Sequence, residues 1–247
     1  MSHLPLKKPN YGIDAPPILR KRAIAFACCL IIGVVGYVIL LRVQHAAALI
    51  VLFLMLFVAL CFFLTAAAMI WSSKLGKLRQ REIFIDSLDL KGTELILDVG
   101  CGCGLLLNAA ARRLTLGKAI GLDLWQSQDL SGNNPERTLA NAKIEGVLDR
   151  VEVRTGDMRQ MPFSDASIDV VVSSIAIHNV PDKDGRKQTI LEIDRVLKSG
   201  GKLGLIDLRC IDEYISTLES LGWRNLQVSK PSYWRFPPIR VIRGVKK

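Results

Sequence analysis

Two apolar runs separated by four residues set the first constraint on this chain. Residues 23–41 (AIAFACCLIIGVVGYVILL) carry no charge over 19 positions. Residues 46–71 (AAALIVLFLMLFVALCFFLTAAAMIW) run 26 positions with Thr65 as the only clearly polar side chain. At ~1.5 Å per helical residue these reach about 28 and 39 Å, against a hydrocarbon core of roughly 30 Å. Arg42-Val43-Gln44-His45 leaves room only for a tight turn, so the pair predicts a transmembrane helical hairpin. Nothing charged lies inside either span, which argues against a transport path or proton relay. Gly33 and Gly36 read as small residues that let the helices approach closely, and Cys28, Cys29 and Cys61 as small apolar fillers.

Flanking charge orients the hairpin. Lys7, Lys8, Arg20, Lys21 and Arg22 precede the first run, Lys74, Lys77, Arg79 and Arg81 follow the second, and only Arg42 lies between. Lys and Arg are retained on the cytoplasmic side, so the expectation is an integral membrane protein of two spans with both termini cytoplasmic. A cleaved signal peptide is a rival reading, with Ala46–Ala48 as the small-residue site, yet the second run would still hold the chain in the bilayer. A buried apolar hairpin of a soluble protein is the other alternative.

Composition agrees with a divided chain. Of 247 residues 50% are hydrophobic, beside 33 Lys+Arg and 23 Asp+Glu. Mean hydropathy is +0.28, and most of the apolar excess sits in the first 71 residues. This excludes a disordered chain and a small disulfide scaffold, and it argues against a purely soluble enzyme. Residues 1–22 then form a basic cytoplasmic segment, 23–71 the hairpin and 72–91 a connector. Within the connector, residues 74–90 mix basic side chains with Leu75, Leu78, Ile83, Phe84 and Ile85, as an amphipathic segment near the headgroups or a plain linker helix does.

From Lys91 onward short β-branched runs alternate with helical stretches. Strands are predicted at 94–99, 118–123, 150–154, 168–173 and 202–207, and helices at 104–114, 135–145, 185–197 and 212–221. Pro135 suits a first helical position, and Gly146 and Gly200 suit C-terminal caps. Such alternation predicts an α/β, doubly wound, Rossmann-like sheet covered on both faces. Residues 223–229 and 239–245 depart from it. Joined only by a Pro-rich stretch, they predict a terminal antiparallel β-hairpin.

The sharpest motif is Asp98-Val99-Gly100-Cys101-Gly102-Cys103-Gly104, closing a strand and opening a helix. Glycines at alternate positions allow a sharp turn and close approach of a ligand to the backbone. N–H groups of the helix beyond Gly104 favour an anionic group. The spacing is G-x-G-x-G, not the G-x-G-x-x-G of dinucleotide enzymes, which argues against a nicotinamide oxidoreductase. Asp123 ends the second strand, where an acid can accept from both ribose hydroxyls, and Asp157 follows the third. Cys101 and Cys103 form a C-x-C without a second ligand pair, so no metal is expected.

These residues resemble the class I S-adenosylmethionine-dependent methyltransferases over roughly residues 80–247. The resemblance is carried by Leu95–Gly104 (LILDVGCGCG), Ile120–Asp123 (IGLD), Gly156-Asp157, Asp165–Val172 (DASIDVVV) and Arg195–Gly201 (RVLKSGG). Ala176–Asp182 (AIHNVPD) is similar to the branch holding the ubiquinone/menaquinone C-methyltransferases and phospholipid N-methyltransferases, although Ser199 stands where that branch has Pro. The resemblance implies that residues 92–247 bind S-adenosylmethionine. Gly100, Gly102 and Gly104 would pass under its methionine part and Asp98 would help hold the ammonium. Asp123 would take the ribose hydroxyls, Leu124 and Trp125 would flank the adenine, and Asp157 would accept from the adenine amino group beside Met158. Cys101 and Ser173 complete the expected cofactor-binding set. Turn capping by Asp98 and Asp157, and packing by Trp125, are the plain alternatives.

Since a sulfonium already activates its methyl group, a base is needed only where the accepting atom must lose a proton. His178, after the fourth strand, is the candidate, because imidazole exchanges protons near neutral pH; capping a neighbouring loop is its other reading. The acceptor is inferred from location: a lipophilic or amphiphilic small molecule of quinone, isoprenoid or phospholipid type, met at the lipid bilayer. After Glu219 come seven basic residues (Arg224, Lys230, Arg235, Arg240, Arg243, Lys246, Lys247), no acid, and Tyr233, Trp234 and Phe236. That tail could dock anionic headgroups or be a solvated basic strand pair. RNA also fits such residues, yet the net charge of +10 owes much to the span flanks, so nucleic acid is not the expected partner. A methyltransferase of protein or RNA near the membrane, and a non-catalytic scaffold, are the alternatives.

Overall fold

A computed structural model describes residues 8–126 and 129–247; Lys7 of the basic N-terminal segment lies outside the described residues. Helix α1 (Pro16–Leu41) begins on two prolines, which suit first helical positions because their missing N–H would be unpaired there anyway. A three-residue turn leads to α2 (His45–Trp71), and both helices are long and apolar enough to cross a membrane. They lie against each other where side chains are smallest. A Cβ added at Gly33 would stand 2.9 Å from Met55 Cβ, and one at Gly36 3.0 Å from Val51 Cγ1. Around the rest of both helices, large apolar side chains such as Ile31, Ile39, Phe53 and Phe57 are exposed.

Helix α2 runs on without a break through a single π-turn at Ser72–Gly76 into α3 (Lys77–Asp86). The expected connector at 72–91 is a continuation of α2 and not a free spacer: Phe84, Ile85 and Leu88 are buried in the globular core. The bare Cα of Gly204 makes room for the Phe84 ring, since a Cβ there would come within 2.6 Å of Phe84 Cζ. Amphipathicity requires an apolar partner and does not say which one; the sheet supplies it.

The sheet is built from β1 (Leu95–Val99), β2 (Lys118–Asp123), β3 (Val151–Thr155), β4 (Ile168–Ser174), β5 (Leu197–Asp207), β6 (Gln227–Val228) and β7 (Arg240–Val245) in the order β3-β2-β1-β4-β5-β7-β6. The first five strands are parallel, β7 runs antiparallel to β5, and β6 pairs antiparallel with β7. Helices α4 (Leu105–Ala111), α5 (Pro135–Ile144), α6 (Lys183–Val196) and α7 (Ile211–Ser220) join them. Two apolar clusters, one around Leu97, Val171, Ile193 and Leu205 and one around Ile96, Leu107, Val170 and Val172, bury alternate residues of the same strands. This is the expected doubly wound sheet with an antiparallel end. Strand order reverses between β1 and β4, and ligands of open α/β sheets bind beyond the carboxyl ends of strands at that point.

Local punctuation held in two places and moved in a third. Pro135 opens α5, where Asn134 Oδ1 accepts from the Arg137 N–H at 2.7 Å, and Gly146 follows its end at φ +70°. Gly200, expected as a helix cap, lies inside β5 at φ +76° and donates its N–H to the Lys246 carbonyl. Helix α6 instead passes straight into the strand at Val196-Leu197, both fully buried. A helix cap and a bulged strand both need a left-handed residue, and burial of Leu197 selects the second.

Candidate active site

The turn after β1 is left-handed at three alternate positions, with φ +73° at Gly100, +53° at Gly102 and +82° at Gly104. A side chain at Gly100 would collide with the methyl group of Ala176, which lies directly over the Gly100 backbone. Gly104 then starts α4 without a side-chain cap. Asp98 is buried beneath, its Oδ2 accepting from the Leu107 N–H at 2.9 Å. Burial pushes its carboxyl up to about 8, with Asp123 adding to the rise. Cys101 is buried too, and burial raises its thiol well above the ordinary range. Its sulfur fills the space a Cβ on Gly121 would need. A protonated buried thiol is a packing group.

Asp123, at the end of β2, organises the rim. Its Oδ2 accepts from the Gly102 N–H at 2.8 Å, and its Oδ1 from the Trp125 N–H at 2.6 Å and from Asn133 Nδ2 at 3.1 Å. A carboxylate offers about four acceptor positions, so three are in use and one is open. Asn133 Oδ1 is buried without a donor among the described residues. Leu124 is exposed and Trp125 half-buried at φ +61°, its indole N–H donating to Thr155 Oγ1 at 2.8 Å. Met158 reaches back to the glycine turn, its Cε 3.4 Å from a Cβ placed on Gly100.

Two predicted residues are already engaged. Asp157 is clamped by Arg159, whose Nη2 lies 2.6 Å from Oδ2 and whose guanidinium holds the carboxyl below its usual range. The Ser173 hydroxyl donates to the Val99 carbonyl at 2.7 Å, inside the sheet, and ties β4 to the end of β1.

His178 sits in a short 3-10 turn, Ile177–Asn179, two residues beyond the Ala176 that abuts Gly100. Its Nδ1 lies 2.6 Å from Oδ1 of Asp207, the last residue of β5, and both side chains are almost wholly buried. Asp207 also accepts from the Tyr214 hydroxyl at 3.1 Å and from the Leu208 N–H at 2.8 Å. Sequence reasoning missed Asp207, although it ends a strand as Asp123 does and as Asp98 nearly does. It also missed Asp129, whose carboxyl burial raises, with Asp123 adding to the rise.

A second missed feature is a strap. Residues 10–15 cross the domain before α1 begins. Asn10 exchanges hydrogen bonds with Asn141, and Tyr11 donates to Glu145. Asp14 bridges to Leu130 in antiparallel fashion, with the Ser131 N–H on the Ile13 carbonyl and the Ala15 N–H on the Asp129 carbonyl. Leu130 in turn covers Gly102. Asp14 is gripped by Lys77 at 3.2 Å and Arg235 at 2.8 Å. The basic tail is accordingly not one surface. Arg235 is buried in this pair, while Arg240, Arg243 and Lys246 donate to backbone carbonyls of Ser229, Ser87, Asp194 and Leu197.

Comparison with known proteins accords with this arrangement. Residues 97–205 match the family model described as a methyltransferase domain. The chain is 32% identical over 148 residues to demethylmenaquinone methyltransferase of Lactobacillus johnsonii, covering 59% of this chain and 55% of that protein. It is 31% identical over 130 residues to sterol 4-C-methyltransferase strm-1 of Caenorhabditis elegans, covering 52% and 35%. The chain thus spans about half, or less, of the curated relatives it matches. Among solved structures, geranyl diphosphate methyltransferase in complex with SAM superimposes with a TM-score of 0.54 at 16% identity, over 69% of this chain and 85% of that one.

Proposed function

We propose that this chain, which carries a class I S-adenosylmethionine-dependent methyltransferase domain, is a membrane-anchored enzyme that moves a methyl group to a lipophilic or amphiphilic small molecule. The observation that carries the chemistry is the left-handed glycine turn with Asp98 beneath it and Asp123 beside it. The residues fit the cofactor: Asp123 keeps one acceptor position open, and the orphaned Asn133 Oδ1 wants a donor such as a ribose hydroxyl. When bound, the cofactor supplies a methyl group on a positive sulfur, already activated for transfer. The protein's part is therefore alignment, which can account for about 7–11 kcal/mol of the barrier.

In this reading Gly100, Gly102 and Gly104 present backbone to the methionine part, and Asp98 holds its ammonium. Asp123 and Asn133 take the ribose. Leu124, Trp125 and Met158 enclose the adenine, and Asp157 turns from Arg159 toward its amino group. Ser173 and Cys101 act from behind, one tying the turn to β4 and the other packing it. His178, held by Asp207, takes a proton from the acceptor.

Two apolar helices with exposed side chains all round support spanning, because water would not tolerate such a surface. Both ends of the hairpin join the same domain, the strap at one and α3 at the other. One side of the bilayer must then hold both, and the Lys and Arg at these ends indicate the cytoplasmic side. Residues 16–71 would be the anchor and 77–247, with the strap, the catalytic unit. A quinone or sterol acceptor in relatives supports a lipophilic acceptor here.

Detergent-purified chain given methyl-labelled cofactor and membranes should place label in the organic extract. Label in protein or RNA would favour a macromolecular acceptor, and cofactor binding without any transfer would favour a scaffold.

Asp98 makes a second expectation about pH. Its native carboxyl titrates at about 8, against an ordinary ~3.9. Between those values the folded protein holds a proton that the unfolded chain has lost, so this group's contribution to stability declines as pH rises through the window. Pairing with an ammonium needs the carboxylate, so binding expels that proton below about pH 8. Cofactor affinity should rise by up to about tenfold per pH unit toward that value and level off above it. Calorimetry across the neutral range reads the slope, and Asp98→Asn should flatten it. A wild-type affinity indifferent to pH would remove Asp98 from the ammonium site.

A further inference from the structure

We propose that residues 232–238, the loop before β7, dock on the phospholipid surface and hold the catalytic domain at a set attitude to the bilayer. The proposal rests on the reading that α1 and α2 span. Three aromatic side chains of this loop face outward, with Tyr233 76%, Trp234 44% and Phe236 37% exposed. The residue between them, Arg235, turns the other way into its buried pair with Asp14. The outward set is not a floppy excursion. The Trp234 carbonyl sits so close over Gly76 that any side chain there would strike it. The Phe236 N–H donates to Ser72 Oγ at 2.9 Å, and the Ser232 hydroxyl to Gln80 Oε1 at 2.8 Å. A loop tied at every second residue to the π-turn and α3 cannot fold its aromatic side chains inward.

Its height is set by the same ties. The Trp234 ring stacks on Trp71, the last residue of α2, at 6.2 Å between centroids and 19° between planes. The Arg79 guanidinium also lies over the Trp234 ring, 5.8 Å from the centroid. The aromatic group therefore stands where the apolar run ends and charge begins, the level at which Trp and Tyr are enriched in membrane proteins. Below it a groove of about 580 Å³, lined by Phe63, Ala66, Ile70, Trp71 and Lys74, runs along α2. Its wall is apolar and its upper end basic, the pattern of an acyl chain beneath a phosphate. Neither Lys74 nor Arg79 has a carboxylate partner among the described residues, so both are available to phosphate oxygens. Such side chains at an anionic surface are attracted to it within a Debye length.

The consequence reaches the site. Arg235 links the loop to Asp14, Asp14 pairs with Leu130, and Leu130 covers Gly102. Docking of the loop thus sets how the strap lies over the glycine turn relative to the lipid surface.

Full-length chain in phospholipid vesicles tests this by lipid-borne quenching of tryptophan emission, comparing wild type with Trp234→Phe and Trp71→Phe. Phenylalanine preserves the stacked pair, and Trp125 and Trp223 supply a common background. With a nitroxide on the headgroup, both substitutions should reduce the quenchable share of emission by similar amounts. With bromine at mid-chain, quenching of every form should be weaker. A quenchable share lowered by Trp71→Phe but untouched by Trp234→Phe would overturn docking while the spans stand. No quenching of wild type by either probe would overturn the spans, and docking with them.

Discussion

Asp123→Ala lowers affinity for S-adenosylmethionine and S-adenosylhomocysteine by about 10²–10⁴-fold. Hydrogen bonds to a charged acceptor contribute roughly 1.5–3 kcal/mol and neutral ones about 0.5–1.5 kcal/mol; the open position of the carboxylate takes one ribose hydroxyl, and Asn133, which the carboxylate holds, takes the other. The sum of about 2–4.5 kcal/mol, at ~1.4 kcal/mol per factor of ten, supplies roughly 30- to 1,500-fold of that loss. A second loss adds to it. The same carboxylate accepts the N–H groups of Gly102 and Trp125, so its removal frees the glycine turn and the segment beyond β2 together. Asp123→Asn should not rescue binding. Backbone donors point at both oxygens, so the carboxamide nitrogen faces an N–H whichever way it turns. Calorimetric titration reads the effect, with NAD as a control that should give no heat. Near-wild-type affinity in the alanine form would remove Asp123 from the ribose site, and binding of NAD alone would overturn the reading of the loop.

Residues whose role is local were legible before any coordinates. The strand-to-helix turn at 98–104 announces itself because only glycine adopts its backbone readily, and three of them alternate. Asp123 stands at a strand end that β-branched and apolar neighbours define. Residues whose role depends on distant chain were not. Arg235 and Arg224 look alike in a charge count, yet one is buried against Asp14 and the other exposed. Phe84 and Ile85 give an apolar face without an address, and the sheet rather than the headgroups receives it. Gly200 reports a left-handed residue but not whether a helix or a strand surrounds it. The strap has no periodic signal at all. Its hold on Leu130 and Ser131 is mostly backbone pairing, which every sequence can make, with the Ser131 Oγ accepting the Ile13 N–H.

His178→Ala is the second large effect, expected in kcat and not in cofactor affinity. With Asp207 Oδ1 2.6 Å from Nδ1 and able only to accept, the tautomer that suits the pair has its hydrogen on Nδ1 and Nε2 free to take a proton. Positioned proton transfer contributes about 10²–10⁴-fold to rate, and loss of His178 should cost that much if the accepting atom is protonated in the bound state. Asp207 acts through the imidazole and is a positioning residue. Its Oδ1 is also held by the Leu208 N–H. In Asp207→Asn the carboxamide oxygen would stay on that donor or turn to His178, not both. Where the nitrogen faces Nδ1 the tautomer is reversed and Nε2 becomes a donor. The expected signature is a lower kcat with unchanged cofactor Kd and an altered pH profile, which mere loosening of the fold would not produce. Tyr214→Phe removes one hydrogen bond to the Asp207 carboxylate, roughly 1.5–3 kcal/mol of local stability, while the Leu208 N–H still holds Oδ1, so turnover should fall less than in Asp207→Asn. Equal kcat in wild type and His178→Ala would leave the pair as a structural tie between the β4 turn and β5. The acceptor would then be a nucleophile that arrives without a proton to lose, and alignment by the glycine turn would carry the reaction.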